Sequence, residues 1–238
     1  MKWSPAKTQR MVFRPTKNTL RMFFGSDEIM PQKTIESLGV LIDRDCAPSS
    51  QIQRVCNSVK SMTSLVRKNV RHCPDYLIRE IYNTYVLPKI SYCSEQWHSG
   101  KEVNIRPIVR EVKNFRKLSS SNKPLKDFLW PREQLIYNDL VLMNKIVHEK
   151  SVVDFDVFFK RCENNTRQNS VRKIENFKYH LDVAQNIFSY RVINYWNKLS
   201  YDTSQLTGSM FKATVKKVLK KEAVKFVNFV ISFNVVTS

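Results

Sequence analysis

The sequence predicts an α+β fold that is mainly α, in which a small N-terminal antiparallel β-meander precedes two helical regions. Two observations support this prediction. Apolar and polar residues alternate in short segments of the first 43 residues, as they do along half-buried strands. From Ser50 onward, apolar residues recur every three or four positions, which is the period of an amphipathic helix. We place the three regions at residues 1–45, 46–100 and 101–238.

Three strands are predicted in the N-terminal region. Residues 9–14 and 19–24 alternate apolar with polar or basic side chains, and residues 25–28 form a turn after them. Residues 33–43, KTIESLGVLID, read as one buried strand because they are rich in β-branched and aliphatic types. Gly39 lies in the middle of this strand, where a glycine usually marks a bulge or the close approach of another backbone or a ligand.

Helical periodicity predicts the rest of the fold. The first helix starts with Ser49 or Ser50 as its N-cap and stops at residues 72–74. A second helix starts at Asp75 and is broken or kinked at Pro88. The remaining helices are predicted at residues 105–115, 135–147, 184–199 and 210–219, with loops near 119–123 and 162–170.

Charge indicates a polyanionic partner. Forty Lys and Arg residues against 21 Asp and Glu give a net charge of +19, which suits nucleic acid or an acidic membrane surface, and charge alone does not choose between them. Five widely spaced cysteines and no signal peptide predict an intracellular protein, nuclear or cytoplasmic and not secreted. The longest apolar run, residues 223–236, is shorter than the roughly 18 residues that a membrane span needs, so no membrane partner is expected.

The first predicted helix carries a basic face. Lys60, Arg67 and Arg71 share one side, roughly opposite the apolar stripe, and Arg54 and Lys68 add further positive charge. Arginine and lysine on a helix face contact phosphates without reading bases, so we expect affinity for nucleic acid with little sequence preference. The alternative is an ordinary solvated face.

Two further helices repeat this basic character, which weakens the alternative of an ordinary solvated face. Their basic residues are Arg106, Arg110, Lys113, Arg116 and Lys117, and Lys212, Lys216, Lys217, Lys220 and Lys221. Four aromatic residues, Tyr82, Tyr85, Tyr92 and Trp97, are candidates for base stacking, although their helical spacing favours core packing.

No catalytic motif is found in the sequence. Asp43 with Asp45, and Asp154 with Asp156, are interpreted as solvated loop acids. A zinc site is disfavoured because no pair of ligands has the usual spacing. The four candidate zinc ligands are His72, Cys73, Cys93 and His98.

The order of segments resembles the end of the palm and the thumb of reverse transcriptases from jockey-like non-LTR retrotransposons. The resemblance extends over nearly the whole chain up to Leu219. The similar segments are KT with MVF at residues 7–13, ESLGVLID at 36–43 before a basic helix, YVLPKISYCSEQW at 85–97, FLWPREQLIYNDLVLMNKI at 128–146, TR at 166–167 and NIFSYRVINYWNKLS at 186–200.

The resemblance implies a role for each region. Residues 1–45 would be a palm remnant, 46–100 a thumb-like helical domain and 101–238 a helical C-terminal region. Leu38 and Gly39 would belong to a primer grip, a hairpin that presses its backbone against the 3′ end of the growing strand. Lys7 would lie near the incoming nucleotide.

Catalysis is not expected from this chain alone. The family's metal-binding aspartates precede the point where this sequence begins, and the sequence contains no Asp-Asp pair. No cofactor is therefore expected in this chain, since Mg²⁺ would bind only with the missing palm. The expected partners are RNA and DNA as template and primer, together with the missing palm and fingers.

Three other interpretations remain open at this point. In the first, the chain is a retroelement remnant without function. In the second, it is a host protein that keeps the basic helices as a nucleic-acid or scaffold module. The third is an unrelated enzyme. An unrelated hydrolase or nuclease would require metal-dependent turnover that involves Asp43 or Asp154.

Overall fold

The computed structural model describes residues 7–13, 20–69, 74–119, 129–162, 173–176 and 187–235, with side chains described as far as residue 221. The described part of the chain is mainly helical, and a pair of small antiparallel hairpins lies at its N-terminal end. The predicted α+β, mainly α fold class is therefore confirmed.

Within residues 7–13 and 20–45, the β-structure consists of two separate hairpins and not of one continuous meander. Strands β1 (Phe23–Phe24) and β2 (Asp27–Glu28) form the first, and β3 (Thr34–Ser37) and β4 (Val40–Asp43) form the second. The strand predicted at residues 9–14 is reduced, within its described residues, to one isolated bridge between Arg10 and Pro31. Because a proline has no N–H group, it cannot extend a ladder of hydrogen bonds at this point.

The second hairpin corrects the prediction of one strand over residues 33–43. The ladder pairs Thr34 with Asp43 and Ser37 with Val40, which leaves a two-residue turn at Leu38 and Gly39. Their φ angles are 47° and 79°, as a type I′ turn requires. The positive φ angle by itself explains why a glycine occupies position 39, so no close approach by a ligand is needed to account for it.

Ten helices follow the hairpins among the described residues, and the predicted helices at 105–115, 135–147 and 210–219 lie inside them. The predicted helix at 184–199 is shorter in its described part, and the predicted stop of the first helix falls mostly outside the described residues. The helices are α1 (Ser49–Asn69), α2 (Asp75–Ile81), α3 (Leu87–Ser91), α4 (Ser94–Trp97), α5 (Glu102–Arg116), α6 (Pro131–Val147), α7 (Phe155–Phe158), α8 (Phe188–Trp196), α9 (Tyr201–Gln205) and α10 (Gly208–Val235).

The chain continues as a helix through Pro88. A π-helical segment, Tyr82–Val86, joins α2 to α3, and Leu87 donates its N–H to the carbonyl of Tyr82, five residues earlier. A proline lacks the donor and crowds the carbonyl four residues before it, and a wider π turn is one way in which a helix accommodates that defect.

Two hydrophobic clusters hold the described helices together. The first joins β4, α1, α2, the π segment, α3 and α5, and the second joins α6, α7, α8 and α10. Helix α6 links them, because Leu135 packs in the first cluster while Leu140 and Met143 pack in the second. The region boundaries at 45 and 100 remain predictions, and α5 packs extensively against α1 across the second of them.

Candidate nucleic-acid interface

The basic faces of α1 and α5 are adjacent. Lys60 Nζ lies 3.9 Å from Glu111 Oε1, and Arg110 Nε lies 3.4 Å from the same oxygen. Glu111 is nearly buried between the two helices, so it draws a cation from each of them to one place. We call the exposed residues on these two faces the basic surface, and they are Lys60, Arg67, Arg106, Arg110 and Lys113.

Helical periodicity explains how these residues come to lie outward. Arg67 is seven residues after Lys60, nearly two full turns, so the two share a face of α1. Arg106, Arg110 and Lys113 are separated by four and three residues and share a face of α5 in the same way. The opposite faces of the two helices are buried in the first cluster; they comprise Ile52, Val55, Val59 and Val66 of α1 and Ile105, Ile108, Val112 and Phe115 of α5.

The other predicted contact residues are dispersed. Arg54 Nη2 lies 2.9 Å from Glu36 Oε1, so it ties α1 to the β3–β4 hairpin. Lys68 is exposed beside the face of Lys60, and Lys7 is exposed at the first described position. Arg71 lies outside the described residues.

The remaining predicted basic residues lie on α5 and α10, and their surroundings differ. The guanidinium of Arg116 lies 4.9 Å from the centre of the Trp130 ring, so this half-buried arginine packs and does not join the basic surface. Burial lowers the pKa of Arg116 from its ordinary value. On α10, the lysines 212, 216, 217 and 221 are exposed.

The predicted primer-grip residues form the tip of the β3–β4 hairpin. Leu38 is 88% exposed, and its carbonyl accepts a hydrogen bond of 2.7 Å from the hydroxyl of Tyr92. The core prediction for the four aromatics is right for Tyr82 and Trp97, which are buried. It is wrong for Tyr85 and Tyr92, which are half exposed. Tyr85 lies on the outer side of the π segment, and Tyr92 follows the end of α3 in an extended conformation.

Of the four predicted loop acids, Asp45, Asp154 and Asp156 are exposed and Asp43 is buried. Asp43 is buried, which corrects the prediction of a solvated loop acid; it accepts hydrogen bonds from the Asp45 N–H at 2.9 Å and the Thr34 hydroxyl at 3.4 Å. Asp154 is exposed and caps α7 by accepting from the Asp156 N–H at 3.1 Å. Within the described residues, no group of three or more His, Cys, Asp or Glu side chains is placed to hold a metal ion.

A buried charged cluster was missed by sequence reasoning. Arg191 of α8 makes two hydrogen bonds of 2.8 Å to the carboxylate of Asp139 on α6, and its Nη2 donates to the Glu95 carbonyl at 2.7 Å. His98 Nε2 lies 2.8 Å from Asp139 Oδ2. The available signal was a single acid or base on the apolar face of a helix. Asp139 is four residues from both Leu135 and Met143, and Arg191 is three residues after Phe188 and four before Tyr195.

Both ring nitrogens of His98 have polar partners. The Gly100 N–H donates to His98 Nδ1 at 3.0 Å, and His98 Nε2 lies 2.8 Å from Asp139 Oδ2 and 3.0 Å from Arg191 Nε. Burial lowers the pKa of His98 below its ordinary value of 6.5, and the nearby Arg191 guanidinium acts in the same direction, while Asp139 opposes them. The imidazole is therefore held neutral in the folded state.

Stability should fall when the solution is made acidic. Between pH 6.5 and the lower folded-state pKa of His98, the unfolded chain binds a proton that the folded chain does not, so the free energy of unfolding decreases as pH falls. We expect a loss of up to about 1.4 kcal/mol for each pH unit in that window. Urea-induced unfolding at pH 7.5 and at pH 5.5 measures this loss of unfolding free energy. The His98→Gln variant removes this proton, so it should show a smaller loss between the two pH values; an equal loss would assign the pH dependence to other groups.

None of the helices within the described residues has the length and apolar composition that crossing a membrane requires. Comparison of the chain with protein-family profiles, with curated proteins and with solved structures finds no match.

Proposed function

We propose that this chain binds the phosphate backbone of a nucleic-acid duplex through the basic surface of α1 and α5. The observation that carries the proposal is the meeting of Lys60 and Arg110 at Glu111, because it joins two separately basic helix faces into one positively charged area. The net charge of +19 adds a long-range attraction for polyanions. Contacts of this kind neutralise phosphates without reading the bases, so the binding has little sequence preference.

The preferred duplex in this proposal is an RNA/DNA hybrid of template and primer. This part rests on the resemblance of the sequence to the palm end and thumb of jockey-like non-LTR reverse transcriptases. Helix α1 then acts as the thumb helix, the β3–β4 hairpin as the primer grip, and the catalytic aspartates come from a separate palm and fingers. The chain binds nucleic acid and does not polymerise it alone.

A salt titration tests the proposal. The logarithm of the association constant should fall linearly with the logarithm of salt concentration, and each neutralised phosphate contributes a slope of about 0.9 on a duplex. Replacing Lys60, Arg67 and Arg110 by alanine should flatten that slope by about two to three units and weaken binding to hybrids of any sequence. Fluorescence anisotropy with a labelled RNA/DNA hybrid and a DNA duplex gives both quantities.

A matched variant controls for the loss of three charges. Lys145, Lys150 and Lys198 are exposed and lie outside the basic surface. Their replacement by alanine lowers the net charge equally, and we expect a smaller change of slope. Equal slopes for the two triple variants would show that the attraction is a property of net charge and would refute the assigned surface.

A complementation experiment separates a polymerase fragment from a host binding module or a remnant. The palm and fingers of a reverse transcriptase can be supplied as a separate chain. That chain should gain primer-extension activity when this protein is added. Binding of the hybrid without any gain in extension would favour the host-module interpretation, and the absence of binding would favour a remnant without function.

A further inference from the structure

The tip of the β3–β4 hairpin has an unusual residue for its backbone. Leu38 has a φ angle of 47°, in the left-handed region, where asparagine, aspartate or glycine would be less strained. Its side chain is 88% exposed, so the core does not explain the choice of leucine. An exposed apolar residue held in a strained conformation is a reason to look for a contact outside the chain.

Tyr92 fixes this tip in place. Its hydroxyl donates to the Leu38 carbonyl at 2.7 Å, and a Cβ atom at Gly39 would lie 3.6 Å from its Cε1. The backbone of Tyr92 is itself anchored, because its carbonyl accepts from the indole N–H of buried Trp97 at 2.9 Å. The ring is half exposed but its orientation is fixed at both ends.

The hairpin is also tied to the first turns of α1. The Leu41 N–H donates to the buried side chain of Gln51 at 3.0 Å, and Glu36 pairs with Arg54. Along α1, Arg54 precedes Lys60 by six residues, which corresponds to a rise of about 9 Å. The tip is therefore held rigidly near the start of the helix that carries part of the basic surface.

We infer that Tyr92 and Leu38 form a platform on which an unpaired nucleobase stacks while the backbone of the same strand lies on the basic surface. The inference rests on the proposed function. A base suits the site better than a phosphate, because the Glu36–Arg54 pair is internally neutralised and the exposed groups are an aromatic ring and an aliphatic side chain. Every base has a π-face, so such a platform binds without sequence preference.

The experiment compares two RNA/DNA hybrids, one fully paired and one with a single-stranded overhang that contains 2-aminopurine. The wild-type chain should bind the overhang hybrid more tightly and change the 2-aminopurine fluorescence. Tyr92→Leu, which keeps an apolar side chain and removes the aromatic face, should weaken binding of the overhang hybrid roughly tenfold more than binding of the paired hybrid, which the hairpin also contacts in the proposed function. An equal loss for the two hybrids would refute the platform. Tyr92→Phe keeps the ring and loses the hydroxyl, so its loss should be smaller.

Two further variants complete the design. Leu38→Asn suits the turn better and removes the apolar contact, so it should weaken overhang binding without lowering the melting temperature. Tyr76 is 64% exposed on α2, and Tyr76→Leu serves as the matched control with no expected effect. Circular dichroism melts verify that each variant is folded.

The outcomes are distinguishable. If the wild-type chain binds both hybrids, and Tyr92→Leu binds the overhang as tightly as the wild type or changes the 2-aminopurine signal equally, the platform is refuted and the basic surface stands. If the wild-type chain binds neither hybrid, both the proposed function and the platform are refuted. A tenfold loss that Tyr76→Leu reproduces would also refute the platform.

Discussion

Replacing Asp139 by asparagine lowers the free energy of unfolding by about 3–5 kcal/mol, the largest effect that we expect from a single polar substitution in this chain. The carboxylate of Asp139 is fully buried and accepts two hydrogen bonds from Arg191. The asparagine preserves volume but leaves the guanidinium buried without its counter-charge. An uncompensated buried charge is much more costly than the loss of a solvated pair.

A solvent-exposed ion pair provides the comparison for this prediction. Lys160 Nζ lies 3.6 Å from Glu175 Oε2, and both side chains are about half exposed. Glu175→Gln should change the free energy of unfolding by less than about 1 kcal/mol. Urea-induced unfolding at pH 7.5 measures both variants. If Asp139→Asn were no more destabilising than Glu175→Gln, the Arg191–Asp139 pair would be solvated and not buried.

The second large effect is expected at Phe115. Replacing Phe115 by alanine should lower the free energy of unfolding by about 3–5 kcal/mol. Phe115 is completely buried on α5 in the first hydrophobic cluster, and its ring centre lies 6.3 Å from that of buried Tyr82. The substitution removes apolar contacts and leaves a cavity where the surrounding helices meet. The cost depends on how far they relax to fill it.

An exposed phenylalanine tests whether burial is the cause. Phe158 on α7 is half exposed, and Phe158→Ala should change the free energy of unfolding by about 0.5 kcal/mol or less. Thermal melts followed by circular dichroism rank the two variants, and urea titrations give the free energies. A melting temperature for Phe115→Ala equal to that of the wild type would place Phe115 outside a packed core.

Much of the helical fold could be predicted from the sequence because helix period is a local property. The apolar positions of α1 and α5 recur at helical spacing, so the buried and exposed faces of both helices follow from the residue types alone. The same periodicity predicts that Lys60 and Arg67 share one outer face of α1. Burial of one face requires that the other lie outward, which makes such predictions dependable for amphipathic helices.

The hairpin shows where local patterns fail. The segment from Lys33 to Asp43 is apolar enough to read as one strand, and the left-handed conformation of Leu38 has no signal in its residue type. The position of Gly39 is conspicuous in the sequence, but its positive φ angle accounts for a glycine there without a close approach by a ligand. The turn geometry, and the tyrosine 54 residues from Leu38 that holds it, are evident only from the folded chain.

By itself, the sequence determined that the protein is mainly helical, strongly basic and organised into helices with separate apolar and basic faces. Only the tertiary structure decided that the faces of α1 and α5 adjoin at Glu111. It also decided that Asp139 meets His98 and Arg191, which are 41 and 52 residues away along the chain. The physical reason is that periodicity fixes which side of a helix is buried, whereas the choice of packing partner depends on the shapes and polar groups of distant segments that come together on folding.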